Sequence, residues 1–391
     1  MSDFYEIENR YGAGVYAKQP LSIVRGQGAL LWDSDGNEYI DCSSGHGVAN
    51  LGHAHPKVAA AIAAQAATLV TLFETYPNDQ RAALMQKMAS FAPGLERVFF
   101  CNSGTEAVEA ALKFARLSSG RTKIVAMMRA FHGRTFGSLS ATFNKKYRDG
   151  FEPLVPGFSH VPYNKIEALA STVDEETAAV ILEVVQGEGG VYPIDVEYLR
   201  AARRICDERG ALLIIDEVQT GFGRTGRMFA FQHFDVLPDM LCVAKSLAGG
   251  LPMGAVLIGA SVKNLAPGAH ASTFGGNPLS CAAALAALAA IEEEDLPGQA
   301  AVKGAYLMDQ LRQIESPLIR EVRGLGLMVG IELKQKVAPY LKALQDRRIL
   351  ALNAGMTVIR LLPPLVITCE QLDEVVAALR DVLRREIQDE E

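Results

Sequence analysis

Two ionisable side chains, Asp216 and Lys245, each follow a short apolar run in this chain. Residues 212–215 (LLII) precede Asp216, and residues 240–244 (MLCVA) precede Lys245. Short, continuously apolar runs that end in a charge are typical of strands buried on both faces of a parallel sheet. Because open α/β sheets bind ligands at the carboxyl ends of their strands, we expect the carboxylate and the amine to face one crevice.

This pair admits two interpretations. A lysine that forms a Schiff base with pyridoxal phosphate, and an aspartate that keeps the pyridinium nitrogen protonated, would use both side chains to make the ring an electron acceptor. Gly249 and Gly250 would let the backbone approach such a bound group closely. The alternative is a salt bridge in the core, an interaction that adds little to stability. The pair alone favours the cofactor only modestly.

The residues around the pair resemble the class III (ω-amino acid) aminotransferases. The similarity is carried by DEVQTGFGRTG (residues 216–226) and AKSLAGGLPMGAV (residues 244–256), and it extends over about residues 21–383. Within this class the chain resembles above all the acetylornithine aminotransferases, and among them the branch that aminates aminoadipate semialdehyde on an amino-group carrier protein in lysine synthesis. The resemblance implies a pyridoxal phosphate enzyme of fold type I, with Lys245 as the proton-transferring residue and Asp216 on the ring nitrogen.

The order of the segments predicts an α/β fold with a mainly parallel sheet. The candidate strands are RVFFC (97–101), KIVAM (123–127), AVILEVV (179–185), ALLIIDEV (211–218), MLCVA (240–244) and AVLIG (255–259). A turn at Asp35-Gly36 predicts a hairpin within residues 30–42. The alternation of strands and helices changes after a helix that starts at about Pro278. We predict an N-terminal segment (1–50) that joins the small domain, a large cofactor-binding domain (51–297) and a smaller α+β domain (298–391).

Composition argues against several other classes of protein. The net charge of −7, from 38 basic and 45 acidic residues, leaves no basic surface for nucleic acid. The apolar run of residues 281–291 is too short to cross a bilayer, and the acidic N-terminus does not resemble a secretion signal. Six scattered cysteines without metal-ligand spacing predict reduced thiols and no metal site. We therefore expect a cytoplasmic protein that binds neither membrane nor nucleic acid.

A candidate phosphate site follows the strand RVFFC, where Ser103, Gly104 and Thr105 open a helix. The free N–H groups at a helix N-terminus bind anions. An ordinary helix cap is the alternative, since Ser103 with an acidic residue three positions later would cap well. By the resemblance, these three residues hold the cofactor phosphate.

Three more residues are assigned through the resemblance. It implies that Phe131 stacks on the pyridine ring, that Arg134 binds a substrate carboxylate, and that Gln219 lies beside the phenolic oxygen of the cofactor. From residue type alone, a core phenylalanine and a surface arginine are the alternatives for the first two. We expect His132, between them, to be structural rather than catalytic.

Glu188 and Arg360 are expected to form a pair, again by the resemblance. Glutamate carries two carboxylates, so Arg134 would bind the distal one and Arg360 the one beside the reacting carbon. The second substrate reacts at a terminal amine without a neighbouring carboxylate, and Glu188 would then neutralise Arg360. A solvated loop carboxylate is the alternative for Glu188, whereas Arg360 lies in a strongly apolar strand.

Ser272 and Thr273 match a hydroxyl pair that the neighbouring subunit supplies in the resembling family. We place Thr273 with the cofactor phosphate and Ser272 with the substrate, which implies a homodimer with shared sites. A turn or core role is the alternative for Thr273, because Gly275, Gly276 and Pro278 follow closely.

The resemblance implies a transaminase that exchanges the terminal amino group of an N2-blocked lysine or ornithine with glutamate. The acceptor is carrier-linked aminoadipate semialdehyde or N-acetylglutamate semialdehyde, in lysine or arginine biosynthesis or both. The alternatives are a dedicated acetylornithine aminotransferase and another ω-aminotransferase, such as 4-aminobutyrate transaminase.

Two features bear on the acceptor. The basic run Lys145-Lys146-Tyr147-Arg148 would suit docking of an acidic carrier protein, or it is a solvated face. His46 stands where the resembling branch leads us to expect tyrosine, on the substrate side.

Overall fold

The computed structural model describes residues 4–384, so residues 1–3 and 385–391 of the predicted terminal segments lie outside the described residues. The strands are β1 (Ile23–Gln27), β2 (Leu30–Asp33), β3 (Glu38–Asp41), β4 (Arg97–Cys101), β5 (Lys123–Met127), β6 (Phe158–Val161), β7 (Thr177–Leu182), β8 (Val185–Gln186), β9 (Tyr192–Pro193), β10 (Leu212–Asp216), β11 (Met240–Val243), β12 (Gly254–Ile258), β13 (Ile319–Leu325), β14 (Met328–Leu333), β15 (Ile349–Leu350), β16 (Leu352–Ala354) and β17 (Val358–Leu361).

The helices follow the same chain order. They are α1 (Phe4–Tyr11), α2 (Ser44–Gly47), α3 (Pro56–Ala66), α4 (Asp79–Phe91), α5 (Gly104–Ser119), α6 (Phe136–Ala141), α7 (Lys145–Arg148), α8 (Ile166–Thr172), α9 (Val196–Arg209), α10 (Pro278–Glu293), α11 (Leu296–Arg312), α12 (Ala338–Asp346) and α13 (Cys369–Val382), with 3₁₀ helices at Ala230–His233 and Lys245–Ala248.

A seven-stranded sheet in the order β4-β12-β11-β10-β7-β5-β6 forms the centre of the molecule. β12 is antiparallel to both of its neighbours, and the other strands run parallel to one another. Every residue of β7, β10, β11 and β12 is buried, as expected for apolar strands covered on both faces. The predicted α/β fold with a mainly parallel sheet is confirmed, although β6 was not among the predicted strands.

Two four-stranded sheets are formed by strands that come before and after those of the central sheet in the chain. The hairpin predicted around Asp35-Gly36 is formed by β2 and β3, which pair antiparallel. β15, from the C-terminal part of the chain, extends this N-terminal sheet by pairing parallel to β3. A second sheet, in the order β13-β14-β17-β16, carries Arg360 on β17.

Helix α10 packs against other helices. Asn277 caps it by accepting the Ser280 N–H at 2.8 Å, and Pro278 occupies the first turn, where no backbone donor is needed. The helix is Ala-rich and apolar on most sides, so it is buried between α3, α4 and the 3₁₀ helix that begins at Lys245. Within residues 4–384 no helix combines the length and apolar character needed to span a membrane.

A fully buried guanidinium, that of Arg224, joins distant segments of the chain. Its Nη1 donates to the carbonyl oxygens of Leu327 (2.9 Å) and Pro363 (2.5 Å), and its Nη2 donates to Asn50 Oδ1 (2.6 Å). Burial lowers the pKa of Arg224 to about 9. These contacts fix the chain near Asn50 against the end of β17, close to Arg360.

Candidate active site

The carboxyl ends of the parallel strands open into a cavity of about 300 Å³. Its lining combines residues from several strand ends, which explains how positions far apart in sequence meet. The predicted residues that line it are Ser103, Gly104, Thr105, Phe131, Arg134, Glu188, Asp216, Gln219 and Lys245.

Asp216 ends β10 and is held by a histidine. Its Oδ2 lies 2.7 Å from Nδ1 of the buried His132, and its Oδ1 accepts the Val218 N–H at 3.0 Å. Burial acts to lower the pKa of His132, but the hydrogen bond and the charge of Asp216 outweigh it and the net shift is upward. His132 therefore orients the carboxylate that faces the cavity, and its expected part as a structural rather than a catalytic residue stays a prediction.

Glu183, immediately after β7, joins two loops of the site. Its Oε1 accepts the N–H of Phe131 and its Oε2 accepts the N–H of Gly187, both at 3.0 Å. Burial raises the pKa of Glu183 to about 7. The carboxylate thus fixes the loop that carries Phe131 and the turn that carries Glu188. The strand β7 ends at Leu182, earlier than the predicted strand AVILEVV.

Lys245 follows β11, the neighbour of β10, so its amine and the Asp216 carboxylate line the same cavity. Its φ of 45° lies in the left-handed region, which costs a residue other than glycine about 1–3 kcal/mol. Burial, helped by the charge of Arg360, lowers the pKa of Lys245 to about 8. A lysine with this pKa exchanges protons readily near neutral pH, as a general base must.

The N-terminus of α5 forms one end of the cavity. Ser103 caps the helix by accepting the Glu106 N–H at 3.3 Å, so the cap that sequence offered as the alternative is present. The first N–H groups of a helix have no intrahelical partner, which leaves those of Gly104 and Thr105 for an anion. A Cβ on Gly104 would lie 2.6 Å from Val218 Cγ1, so the tight packing of this helix end needs glycine.

Arg360 and Glu188 form the pair that we expected. Arg360 Nη1 lies 2.6 Å from Glu188 Oε1 and donates to Gln219 Oε1 at 3.2 Å. Among the described residues 4–384, the Arg360 side chain has no exposed surface, and its Nε and Nη2 have no hydrogen-bond partner. Burial acts to raise the pKa of Glu188, but the charge and the hydrogen bond of Arg360 outweigh it, so the carboxyl stays ionised.

A left-handed turn brings His46 to this pair. The φ angles of Ser44, Gly45, His46 and Gly47 are 40°, 61°, 62° and 80°. Asp41 Oδ1 secures the turn by accepting the Ser44 N–H at 2.9 Å. Partial desolvation, and then the charge of Arg360, lower the pKa of His46, which also feels the charge of Glu188.

Arg134 lies at the open side of the cavity among aromatic rings. Its guanidinium carbon is 5.7 Å from the Phe131 ring centroid and 4.2 Å from that of Tyr147. Tyr147 belongs to the basic run on α7, of which Lys145 and Lys146 are exposed.

Ser272 and Thr273 are not brought into this cavity within the chain. They line a separate cavity of about 370 Å³ beside Asn102 and Phe274. Ser272 Oγ accepts from Asn102 Nδ2 at 3.1 Å, and Thr273 is exposed. Their predicted part in a neighbouring subunit's site stays a prediction.

The residues of the cavity fit pyridoxal phosphate. An amine and an anchored carboxylate line a space that is also lined by a helix N-terminus and by the aromatic side chain of Phe131. A Cβ on Gly133 would lie 2.3 Å from Thr105 Oγ1, so glycine lets the Phe131 loop close on that helix end. The volume falls at the lower end of the range of about 300–1,000 Å³ that is typical of small-molecule sites.

Comparison with known proteins supports the same assignment. Residues 11–383 match the family model "Aminotransferase class-III". The chain is 52% identical to the [LysW]-aminoadipate semialdehyde transaminase of Deinococcus radiodurans, over 98% of this chain and 90% of that protein. It is 47% identical to the acetylornithine aminotransferase of Methanopyrus kandleri, over 98% of this chain and 99% of that one.

Solved structures agree with the fold. The ornithine aminotransferase of Toxoplasma gondii, whose active site holds pyridoxal phosphate at partial occupancy, matches with a TM-score of 0.94 and 36% identity, over 97% of this chain and 93% of that one. The acetylornithine aminotransferase of Elizabethkingia anophelis matches with a TM-score of 0.87 and 35% identity, over 97% and 98%.

Substitution of Glu183 tests its part in assembling the site. In Glu183→Gln an amide NH₂ replaces one acceptor oxygen and faces the N–H of Phe131 or of Gly187. An unsatisfied buried donor costs about 1–3 kcal/mol, so we expect calorimetry to show a Tm lower by several degrees. We also expect the KM values of the substrates to rise, because the loops that form the site are no longer fixed. Glu197→Gln, whose side chain is 78% exposed on α9, is the matched control and should change neither. A Glu183→Gln variant with wild-type Tm and KM would show that the contacts are dispensable.

Proposed function

Because this chain belongs to the class III aminotransferases, which are pyridoxal phosphate-dependent enzymes, we propose that it exchanges the terminal amino group of an N2-blocked lysine or ornithine with glutamate. The observation that carries the proposal is the ion pair between the buried Arg360 and Glu188, which lie 2.6 Å apart, with Glu188 lining the cavity. A site with one permanent carboxylate receptor would not need such a pair. A site that binds two different substrates alternately, one with and one without a carboxylate at this position, needs such a pair.

We assign the cofactor contacts to residues already in place. Lys245 and Asp216 would hold the cofactor's reactive carbon and ring nitrogen, the α5 N-terminus with Ser103, Gly104 and Thr105 would hold its phosphate, and Phe131 and Gln219 would contact its ring. When bound, pyridoxal phosphate withdraws electrons from the carbon that bears the amine and carries the amino group from one substrate to the other.

Lys245 moves the proton in both half-reactions. Its pKa of about 8 lets Nζ take a proton from the substrate carbon and return it at a neighbouring carbon. Asp216, fixed by His132, would pair with the ring nitrogen. One substrate leaves before the other enters, so the kinetics are ping-pong.

The two arginines divide the recognition of glutamate. Arg134 binds its distal carboxylate, and Arg360 binds the carboxylate beside the reacting carbon after Glu188 moves away. A blocked lysine or ornithine has no carboxylate beside its reacting carbon, and Glu188 then stays on Arg360. This pairing matters because an unpaired buried cation is strongly destabilising.

For the acceptor, we propose carrier-linked aminoadipate semialdehyde, N-acetylglutamate semialdehyde or both, in lysine and arginine biosynthesis. The relative named for the LysW-linked substrate supports the first, and exposed Lys145 and Lys146 near Arg134 would favour an acidic carrier. Several relatives named acetylornithine aminotransferase support a dedicated arginine enzyme as the second candidate. Acyl-ornithine and acyl-lysine substrates differ by one methylene, which is worth only about 1–3 kcal/mol in a pocket.

We further propose a cytoplasmic homodimer with shared sites. Ser272 and Thr273 line a surface cavity of their own, next to the exposed Phe274. This position suits side chains that complete a neighbouring subunit's site. Five of the six cysteines are buried and all are free, which agrees with a reducing compartment.

The arginine switch predicts an asymmetric loss of affinity. In Arg360→Ala, glutamate loses one charge-assisted carboxylate contact, and we expect its KM to rise on the order of 10–100-fold. The KM of the semialdehyde should change less than about threefold, because that substrate does not use Arg360. Steady-state kinetics with each substrate varied in turn measure both values, and Arg360→Lys controls for the loss of the buried charge. Equal effects on the two substrates would contradict the switch.

The acceptor is tested by single-turnover reaction of the amino-loaded enzyme with N-acetylglutamate semialdehyde and with carrier-linked aminoadipate semialdehyde. We expect faster turnover of the carrier-linked aldehyde, and a preference that shrinks at high salt as the charges on α7 are screened. The variant Lys145→Gln/Lys146→Gln should lose the salt-sensitive part and keep the rate with the free aldehyde. Equal or faster turnover of the free acetylated aldehyde would assign the enzyme to arginine synthesis.

A further inference from the structure

Arg134 is held in an unusual way for an arginine at a carboxylate site. Within residues 4–384 its guanidinium makes no hydrogen bond and no ion pair with a protein group, and its neighbours are the rings of Tyr147 and Phe131. The side chain is exposed at the open side of the cavity. The N–H donors of the guanidinium are therefore all free to bind a substrate.

Aromatic rings are suited to this task. A ring face attracts a guanidinium electrostatically and offers no acceptor oxygen, so it restrains the cation without using its donors. A carboxylate partner would instead occupy the fork of N–H groups that a substrate carboxylate needs. The contact between Arg134 and Tyr147 thus limits the motion of the arginine and leaves its binding edge open.

Tyr147 is itself fixed. Its ring packs edge-on against Phe131, with centroids 5.3 Å apart and planes at 77°. Its N–H donates to the Asn144 carbonyl at 3.0 Å, while Asn144 Oδ1 accepts the Lys146 N–H and caps α7. The ring therefore packs against Phe131, the residue proposed to contact the cofactor, and its backbone belongs to the capped helix α7.

Tyr147 also lies within reach of the charges of the switch pair. Burial and the negative charge of Glu188 raise the pKa of Tyr147, against the opposing charges of Arg134 and Arg360. Its hydroxyl consequently stays protonated and neutral at physiological pH. The ring therefore interacts electrostatically with Arg134 and with both members of the switch pair.

We propose that Tyr147 is a positioning residue for the substrate carboxylate, which it serves by holding Arg134 over its ring face with every guanidinium donor free. The proposal rests on the assigned role of Arg134. It also extends that role, because an N2-blocked lysine or ornithine keeps its α-carboxylate at the end opposite the reacting terminal amine. Arg134, and Tyr147 through it, then serve both half-reactions, whereas Arg360 serves only glutamate.

The test compares Tyr147→Leu, which removes the ring, with Tyr147→Phe, which keeps it, in the holoenzyme. For Tyr147→Leu we expect the KM values of glutamate and of the semialdehyde to rise together by about threefold to tenfold, with kcat within about twofold of wild type. Tyr147→Phe should restore both KM values. A readout independent of turnover is the Kd of glutarate, a dicarboxylate without an amine, by titration calorimetry; it should weaken by the same factor in Tyr147→Leu.

A double-mutant cycle with Arg134→Ala separates this inference from the proposed function. Tyr147→Leu should add nothing further to the loss of glutarate affinity already caused by Arg134→Ala. If Arg134→Ala leaves both KM values and the glutarate Kd unchanged, the assigned role of Arg134 fails. If Arg134→Ala weakens binding but Tyr147→Leu does not, or if Tyr147→Leu lowers kcat alone, the positioning role of Tyr147 is wrong. Failure of Tyr147→Phe to restore binding would also overturn it.

Discussion

The contact between Arg360 and Glu188 is the constraint on which the rest of the site depends. In the described part of the chain, Arg360 has no exposed surface and two of its nitrogens have no partner, so its charge must be balanced by the carboxylate of Glu188. Such a buried cation is expensive to leave alone. Its position behind Glu188, which lines the cavity, is explained if a substrate carboxylate replaces Glu188 in one half of the cycle. The other groups hold this arrangement in place.

Two kinds of scaffolding bring the parts together. The parallel strands align their carboxyl ends, which places Asp216, Lys245 and Glu183 at one edge without any sequence proximity. Arg360 arrives from a different sheet, and the buried Arg224 secures the end of its strand to the N-terminal part of the chain. Left-handed backbone at His46 and Lys245 adds strain, which the surrounding hydrogen bonds must offset.

Sequence was informative where chemistry and local pattern coincide. Apolar runs ending in charge identified β10 and β11 with Asp216 and Lys245, and the resemblance supplied the pairing of Glu188 with Arg360, which no local pattern could reveal across two sheets. β6 (FSHV) lacks a continuous apolar run, and the reversed direction of β12 has no sequence signal. The contacts of His132 and Glu183 depend on which loops meet in the folded chain, so sequence could not predict them. Tyr147 lies within the basic run of residues 145–148, and we interpreted that run only by its charge.

The most direct test of the account is the distance between Glu188 Oε1 and Arg360 Nη1 in two crystal structures of the holoenzyme. One would contain 2-oxoglutarate, and the other an N2-acetylated ornithine or lysine. We predict that the 2.6 Å contact persists with the blocked amine and is broken by the carboxylate of 2-oxoglutarate, with Glu188 turned away. An unbroken contact in both complexes would contradict the account, because Arg360 would then never be released to bind substrate.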